Sequence, residues 1–161
     1  MSSITQATYS HTQRSPLCII LYLVAVQLAV TSVLTRMIPW MWPMMGVLSG
    51  MMFLFATAFH HLRVTLDASG IEIAFGPTPL FRKRVDYSEI VSAEVSRTTV
   101  LDGWGIHYSL SGAWVWNLWG FQCVRLQLTR GAICIGTDDP ANLALAIQQQ
   151  IANQTKGIEE K

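Results

Sequence analysis

The stretch LRVTLDASGIEIAF, residues 62–75, is where the chain changes its period. Leu62, Val64 and Leu66 alternate with polar residues, and so do Ile71, Ile73 and Phe75. Alternation with period two marks strands that bury one face, and Ser69-Gly70 suits a two-residue turn. Any register with that turn puts both apolar sets on one face, so a β-hairpin is expected. What precedes it is different: residues 37–59, MIPWMWPMMGVLSGMMFLFATAF, carry no charge. The hairpin begins almost where a long apolar run ends.

Residues 17–34, LCIILYLVAVQLAVTSVL, are uncharged as well. A helix needs about 20 mostly apolar residues to cross a bilayer, and both runs qualify. A signal peptide fits less well: the first run is long, no small-residue cleavage site follows it, and a second run comes at once. A transmembrane hairpin over residues 16–60 is expected, with helices at about 17–37 and 43–60. A chain that is 51% hydrophobic and only 13% charged agrees, being too apolar for an ordinary soluble domain. In the linker TRMIPWMWP, Pro39 and Pro43 limit helix continuation, while Trp40 and Trp42 suit the membrane–water boundary. Arg14 precedes the first run, and Arg63, Arg82, Lys83 and Arg84 follow the second; only Arg36 lies near the linker. By the positive-inside rule both termini are expected to be cytoplasmic. Gly46 and Gly50, four apart, allow close helix approach, and Ala25 and Ala29 offer a matching small face. Packing within one hairpin is the simple use; homo-oligomerisation is the alternative.

After residue 76 the strand pattern continues. PLFRKRVDY and EIVSAEVSRTTV are strand candidates separated by the polar turn Asp86–Glu89. In FQCVRLQLTRGAICIG, an Arg130-Gly131 turn would set Leu128 against Ile133 and Leu126 against Ile135, with Val124 on the same face. Cys134 would then face Gln127 rather than Cys123. With Cys18 in a span, free thiols in a reducing compartment follow. TDDPANLALAIQQQIANQ reads as one amphipathic helix: Asp138 or Asp139 caps it, Pro140 opens it, and Leu143, Ile147 and Ile151 share a stripe. The fold class is therefore α+β: two apolar helices, then about seven antiparallel strands over residues 61–153 closed by a C-terminal helix. Residues 1–15 and 154–161 read as flexible polar tails.

That arrangement matches a pleckstrin-homology-like (PH-like) β-sandwich or barrel. GWGIHY, GAWVWNLWGFQCVRLQL and GAICIGTDDPANLALAI resemble the bacterial PH-like membrane proteins, in which GWGIR-type and IGTDDP-type motifs recur in this order behind an N-terminal transmembrane hairpin. The resemblance covers roughly residues 60–150, with His107 standing where an arginine is expected. It implies fold and topology rather than an activity.

Four of the six tryptophans, Trp104, Trp114, Trp116 and Trp119, fall within residues 103–121 among glycines. They either fill the core and corners of a small sheet, with glycines at its bends, or present an amphipathic face to bilayer or partner. Trp114 and Trp116 share parity and should point the same way. Arg82, Lys83 and Arg84 either bind anionic headgroups or form a charged edge strand that resists aggregation; Trp104 is a further candidate contact. Other signals are weaker. His60 and His61 lack further ligands at metal spacing, Gly103-x-Gly105 lacks the rest of a dinucleotide fingerprint, and Asn153-Gln154-Thr155 is a sequon without meaning in a cytoplasmic domain. From residue 60 onward nine Lys or Arg meet ten Asp or Glu, which excludes a nucleic-acid-binding surface of the usual basic kind.

Together these features indicate a non-enzymatic, membrane-anchored binding module for a protein partner or anionic lipid headgroups, with no cofactor and no metal. Anchoring lets weak affinity suffice for membrane-local partners. Two other classes stay open: an accessory subunit of a larger membrane complex, and an enzyme whose site shows no motif. For the topology, a phosphatase reporter fused after Lys161 is expected to be inactive and one inserted near Trp40 active. The reverse pattern overturns it.

Overall fold

The computed structural model describes residues 9–77, 81–99 and 102–159. The two uncharged runs are helices α1, Leu17–Leu34, and α2, Met41–Ala58. Both are long and apolar enough to cross a membrane, and only 11% of each is buried. Their bounds differ from the expected ones at the linker. The Thr35 N–H still bonds the Thr31 carbonyl, but the chain then turns before Pro39. Pro43 sits inside the first turn of α2, where a missing N–H costs nothing.

The helices are joined by polar contacts more than by their glycines. Ser49 Oγ donates to the Ala25 carbonyl at 2.7 Å, and Ser32 Oγ to the Trp42 carbonyl at 2.6 Å. Tyr22 and Phe53 meet edge to face, 5.5 Å between ring centroids. Ala25, Ala29, Gly46 and Gly50 do lie together, but they line an open groove rather than a tight seam. A Cβ on Gly50 would meet nothing within 4 Å, and one on Gly46 only Ser32 Oγ at 3.4 Å. The four expected residues thus border one groove between the helices, with room for a Cβ at both glycines.

Among the described residues, nine strands form two sheets. The first contains β1 (Tyr9–Arg14), β2 (His61–Leu66), β3 (Gly70–Phe75) and β4 (Phe81–Asp86), in the order β1-β2-β3-β4, all antiparallel. A 3-10 turn over Tyr87–Glu89 leads to the second sheet. That sheet holds β5 (Ile90–Arg97), β6 (Gly105–Tyr108), β7 (Trp114–Asn117), β8 (Gln122–Leu128) and β9 (Ala132–Gly136), in the order β5-β8-β9-β7-β6. Because β9 inserts between β8 and β7, it runs antiparallel to one and parallel to the other. The sheet is mixed where pure antiparallel pairing was expected. Helix α3, Pro140–Glu159, closes the fold.

Both hairpin turns lie one residue earlier than the sequence reading placed them. Asp67 N–H bonds the Gly70 carbonyl and Leu66 opposes Ile71; Leu128 N–H bonds the Gly131 carbonyl and Leu126 opposes Ile133. A shift by two in pairing keeps every side chain on its face, so the apolar faces survive. Asp67 explains the first case: its carboxylate accepts from the Ser69 and Gly70 N–H groups at 2.8 and 2.9 Å and organises the turn itself. In the second, Cys134 opposes Arg125 instead of Gln127. Cys123 and Cys134 become diagonal neighbours in a small outer cluster with Val115, and all three cysteines are free.

The core lies between the sheets. Leu62, Val64, Leu66, Ile71, Ile73 and Phe75 from the first face Val124, Leu126, Ile133 and Ile135 from the second, with Leu143 and Ile147 of α3. Residues 9–14 are not a flexible tail. Tyr9, His11 and Gln13 face inward opposite Leu66, Val64 and Leu62, and Gln13, 5% exposed, donates to the Trp119 carbonyl at 3.0 Å. The IGTDDP carboxylates secure this strand: Asp138 binds His11, and Asp139 accepts from the Tyr9 hydroxyl at 3.3 Å. Burial and the Asp139 charge raise the Tyr9 pKa. At the start of α3, Leu143 N–H bonds the Asp139 carbonyl, while the Asp139 carboxylate accepts from the Asn142 side-chain amide rather than serving as the expected backbone cap. α3 continues through Glu159, beyond the expected end at 153, while residues 1–8 and 160–161 lie outside the described ones.

If the Ser49 bond holds the helices, Ser49→Ala lowers the melting temperature of the full chain in detergent more than Gly50→Leu does. One such bond contributes about 0.6 kcal/mol. A larger loss at Gly50→Leu restores the glycine seam.

Candidate functional site

Strand β4 decides how the basic cluster is used. Side chains alternate across a strand, so Arg82-Lys83-Arg84 cannot act as one patch. Arg82 and Arg84 oppose Ala74 and Glu72 on the outer face of the first sheet, whereas Lys83 opposes Ile73 on the inner face. The outer two are neutralised. Arg82 Nε lies 2.9 Å from Glu72, and Arg84 reaches Asp67 at 2.8 Å, Asp86 at 3.5 Å and the Ser69 hydroxyl at 2.6 Å. Burial would raise the Asp67 carboxyl, but the hydrogen bonds from Ser69, Arg84 and Gly70 outweigh it and bring it down to about 2. β4 is also the edge of its sheet, so its charges suit an edge strand.

Lys83 instead borders a cleft of about 550 Å³ between the two sheets. Trp114 and Trp116 of β7, Tyr108 of β6, and Leu128 and Arg130 from the β8–β9 hairpin complete its walls. The shared parity of Trp114 and Trp116 places both rings on this side, opposite Tyr108 and Ile106. They differ in depth. Trp116 packs against the core, its ring 5.9 Å from Phe75. Trp114 is 51% exposed and meets Tyr108 edge to face at 5.7 Å.

Trp104 and Trp119 form a second aromatic unit. Their rings stack at 4.6 Å, and Trp104 Nε1 donates to the Gly120 carbonyl at 3.3 Å. With Leu17, Leu21, Phe59 and Leu118, Trp104 lines an apolar pocket of about 280 Å³ against the start of α1. The tryptophans are thus divided. Trp116 and Trp119 pack on the core, while Trp114 and Trp104 are largely exposed, so neither alternative holds for all four.

The two motif segments meet at Asn117. Gly105 of GWGI pairs with Asn117, and Gly136 of IGTDDP lies beside it, where a Cβ would stand 2.7 Å from the Asn117 side-chain carbon. Asn117 is fully buried and its Nδ2 donates to the Gly120 carbonyl at 2.9 Å. On the outer face near this row, Asp102 accepts from Ser109 and from Thr99, which holds its carboxyl down at about 2. Cys123 and Cys134 are buried neighbours, and contact with Cys134 together with burial raises the Cys123 thiol. His60 and His61 stand edge to face, and no metal-binding group of three occurs among the described residues.

Arg130 and Tyr108 were not among the residues that the sequence singled out. Arg130 offered one signal: a two-residue turn does not need an arginine. No family model, curated protein or solved structure matches the chain.

The different depths of Trp114 and Trp116 predict different costs. Trp116→Ala is expected to lower the melting temperature of the full chain by more than about 5 °C, a loss above about 1 kcal/mol, and Trp114→Ala by less than half as much. Equal shifts in a near-UV circular dichroism melt would put both rings in the core.

Proposed function

We propose that the chain is a membrane-anchored, non-enzymatic PH-like binding module at the cytoplasmic face of an inner membrane, akin to the bacterial PH-like membrane proteins. The observation that carries this reading is an open, aromatic, cation-bearing cleft on a β domain whose second strand follows an apolar helix after only two residues. The PH-like assignment is supported by two packed sheets closed by a C-terminal helix and by the meeting of the GWGI and IGTDDP segments at Asn117. The parallel β7–β9 pair is a departure from a plain antiparallel barrel.

Membrane crossing by α1 and α2 is supported by their outward apolar surface, since such a surface needs lipid or a partner to cover it. Pairing of Arg14 with His61 keeps the outer ends of both helices together, in keeping with termini on one side of the bilayer. Exposed Trp104 beside Leu17 and Leu21 suits the interfacial zone, where an amphipathic ring is favourable. The module engages anionic headgroups or a protein partner already concentrated at the membrane. Native mass spectrometry of the full chain in mild detergent is expected to show retained anionic lipid or one partner at fixed stoichiometry. A bare chain, or turnover in a hydrolase screen, overturns the proposal.

A further inference from the structure

We propose that the cleft between Lys83 and Arg130 binds an amphipathic organic anion: a phosphate or carboxylate group carried on an apolar or aromatic body. This rests on the reading of the domain as a binding module and gives that module a ligand class. The first argument is the selectivity of charge pairing. Arg82 and Arg84 on the outer face each have acidic partners, but Lys83 and Arg130 have none among the described residues. Among the described residues no Asp or Glu lines the cleft either. Two like charges at one opening are unfavourable unless an anion joins them.

The second argument is the wall between them. Trp114, Trp116, Tyr108 and Leu128 give the cleft more apolar than polar surface. A small hydrated ion would leave these rings wet, whereas a ligand with an apolar body would cover them and gain from burial. The volume, about 550 Å³, falls within the range typical of small-ligand sites. A third observation concerns position. Lys83 is two residues along β4 from Phe81, about 7 Å of strand, and the Phe81 ring stacks on Phe59 at the end of α2. The anion therefore comes either from a membrane lipid or from a soluble amphiphile near the surface.

The test uses the full chain in nanodiscs of zwitterionic lipid, with hexyl phosphate as the probe and tryptophan fluorescence as the readout. Saturable binding is expected, at least tenfold tighter than inorganic phosphate. Lys83→Gln and Arg130→Gln should each weaken it about fivefold, while Arg82→Gln and Arg84→Gln leave it unchanged; all four variants keep the wild-type melting temperature. Trp114→Phe, which preserves an aromatic wall, should retain binding, and Trp114→Ser should lose it. Nanodiscs containing phosphatidic acid or phosphatidylglycerol decide the source. Competition with hexyl phosphate assigns the anion to the bilayer, and retained binding without competition assigns it to a soluble molecule. Absence of saturable binding, or equal affinity in the Lys83 and Arg130 variants, overturns the proposal. A lipid or partner still retained in native mass spectrometry would then show that the binding-module reading survives without this cleft.

Discussion

Phe59 and His60 are the only residues between α2 and β2, and this shortness constrains everything built after them. There is no linker to let the domain drift from the helix. The Phe59 ring lies 5.3 Å from Phe75 and 5.8 Å from Phe81, so one aromatic side chain joins the helix end to two strands. Gly76 completes the joint. It adopts φ +75°, and a Cβ there would stand 2.7 Å from the Ala58 carbonyl, so only glycine lets the β3 end approach the helix so closely. Phe75 in turn contacts Trp116, which extends the ring contacts from the helix to the second sheet and to the floor of the cleft.

With the first sheet fixed in this way, strand alternation sorts its charges. The outer face of β4 carries ion pairs to Glu72, Asp67 and Asp86, while the inner face turns from Val85 in the core to Lys83 at the rim. Exposed ion pairs stabilise little. Their effect here is to remove two of three cations from competition for anions and to leave one, facing aromatic rings. A run of three basic residues thus contributes a single charge to the cleft, and a turn arginine from the other sheet supplies the second.

Much of the fold was legible because burial dictates period. The helices, the β2–β3 and β8–β9 hairpins and the stripe Leu143, Ile147, Ile151 each follow from apolar spacing. β1 was hidden because two of its three inward residues, His11 and Gln13, are polar, and their partners are Asp138 and the Trp119 carbonyl, more than a hundred residues away. The turns were displaced because Asp67 accepts from the turn backbone, which the Ser-Gly pair alone does not reveal. The glycine spacing in α2 suggested a tight seam, yet serine hydroxyls hold the helices. Of the site, Lys83 was seen but grouped with neighbours that point away. Arg130 and Tyr108 escaped because the β9 insertion that gathers them with β7 is not encoded by any local pattern.

The position of β1 bears on how the protein is made. During synthesis this strand emerges before either helix, and β2, its one strand neighbour among the described residues, emerges after both. β1 must therefore remain unpaired while α1 and α2 are being made, and the first sheet can close only after the second helix is complete. Synthesis and folding are thereby put in order: the helices come first, and the earliest-made of the described strands is among the last elements to find its place.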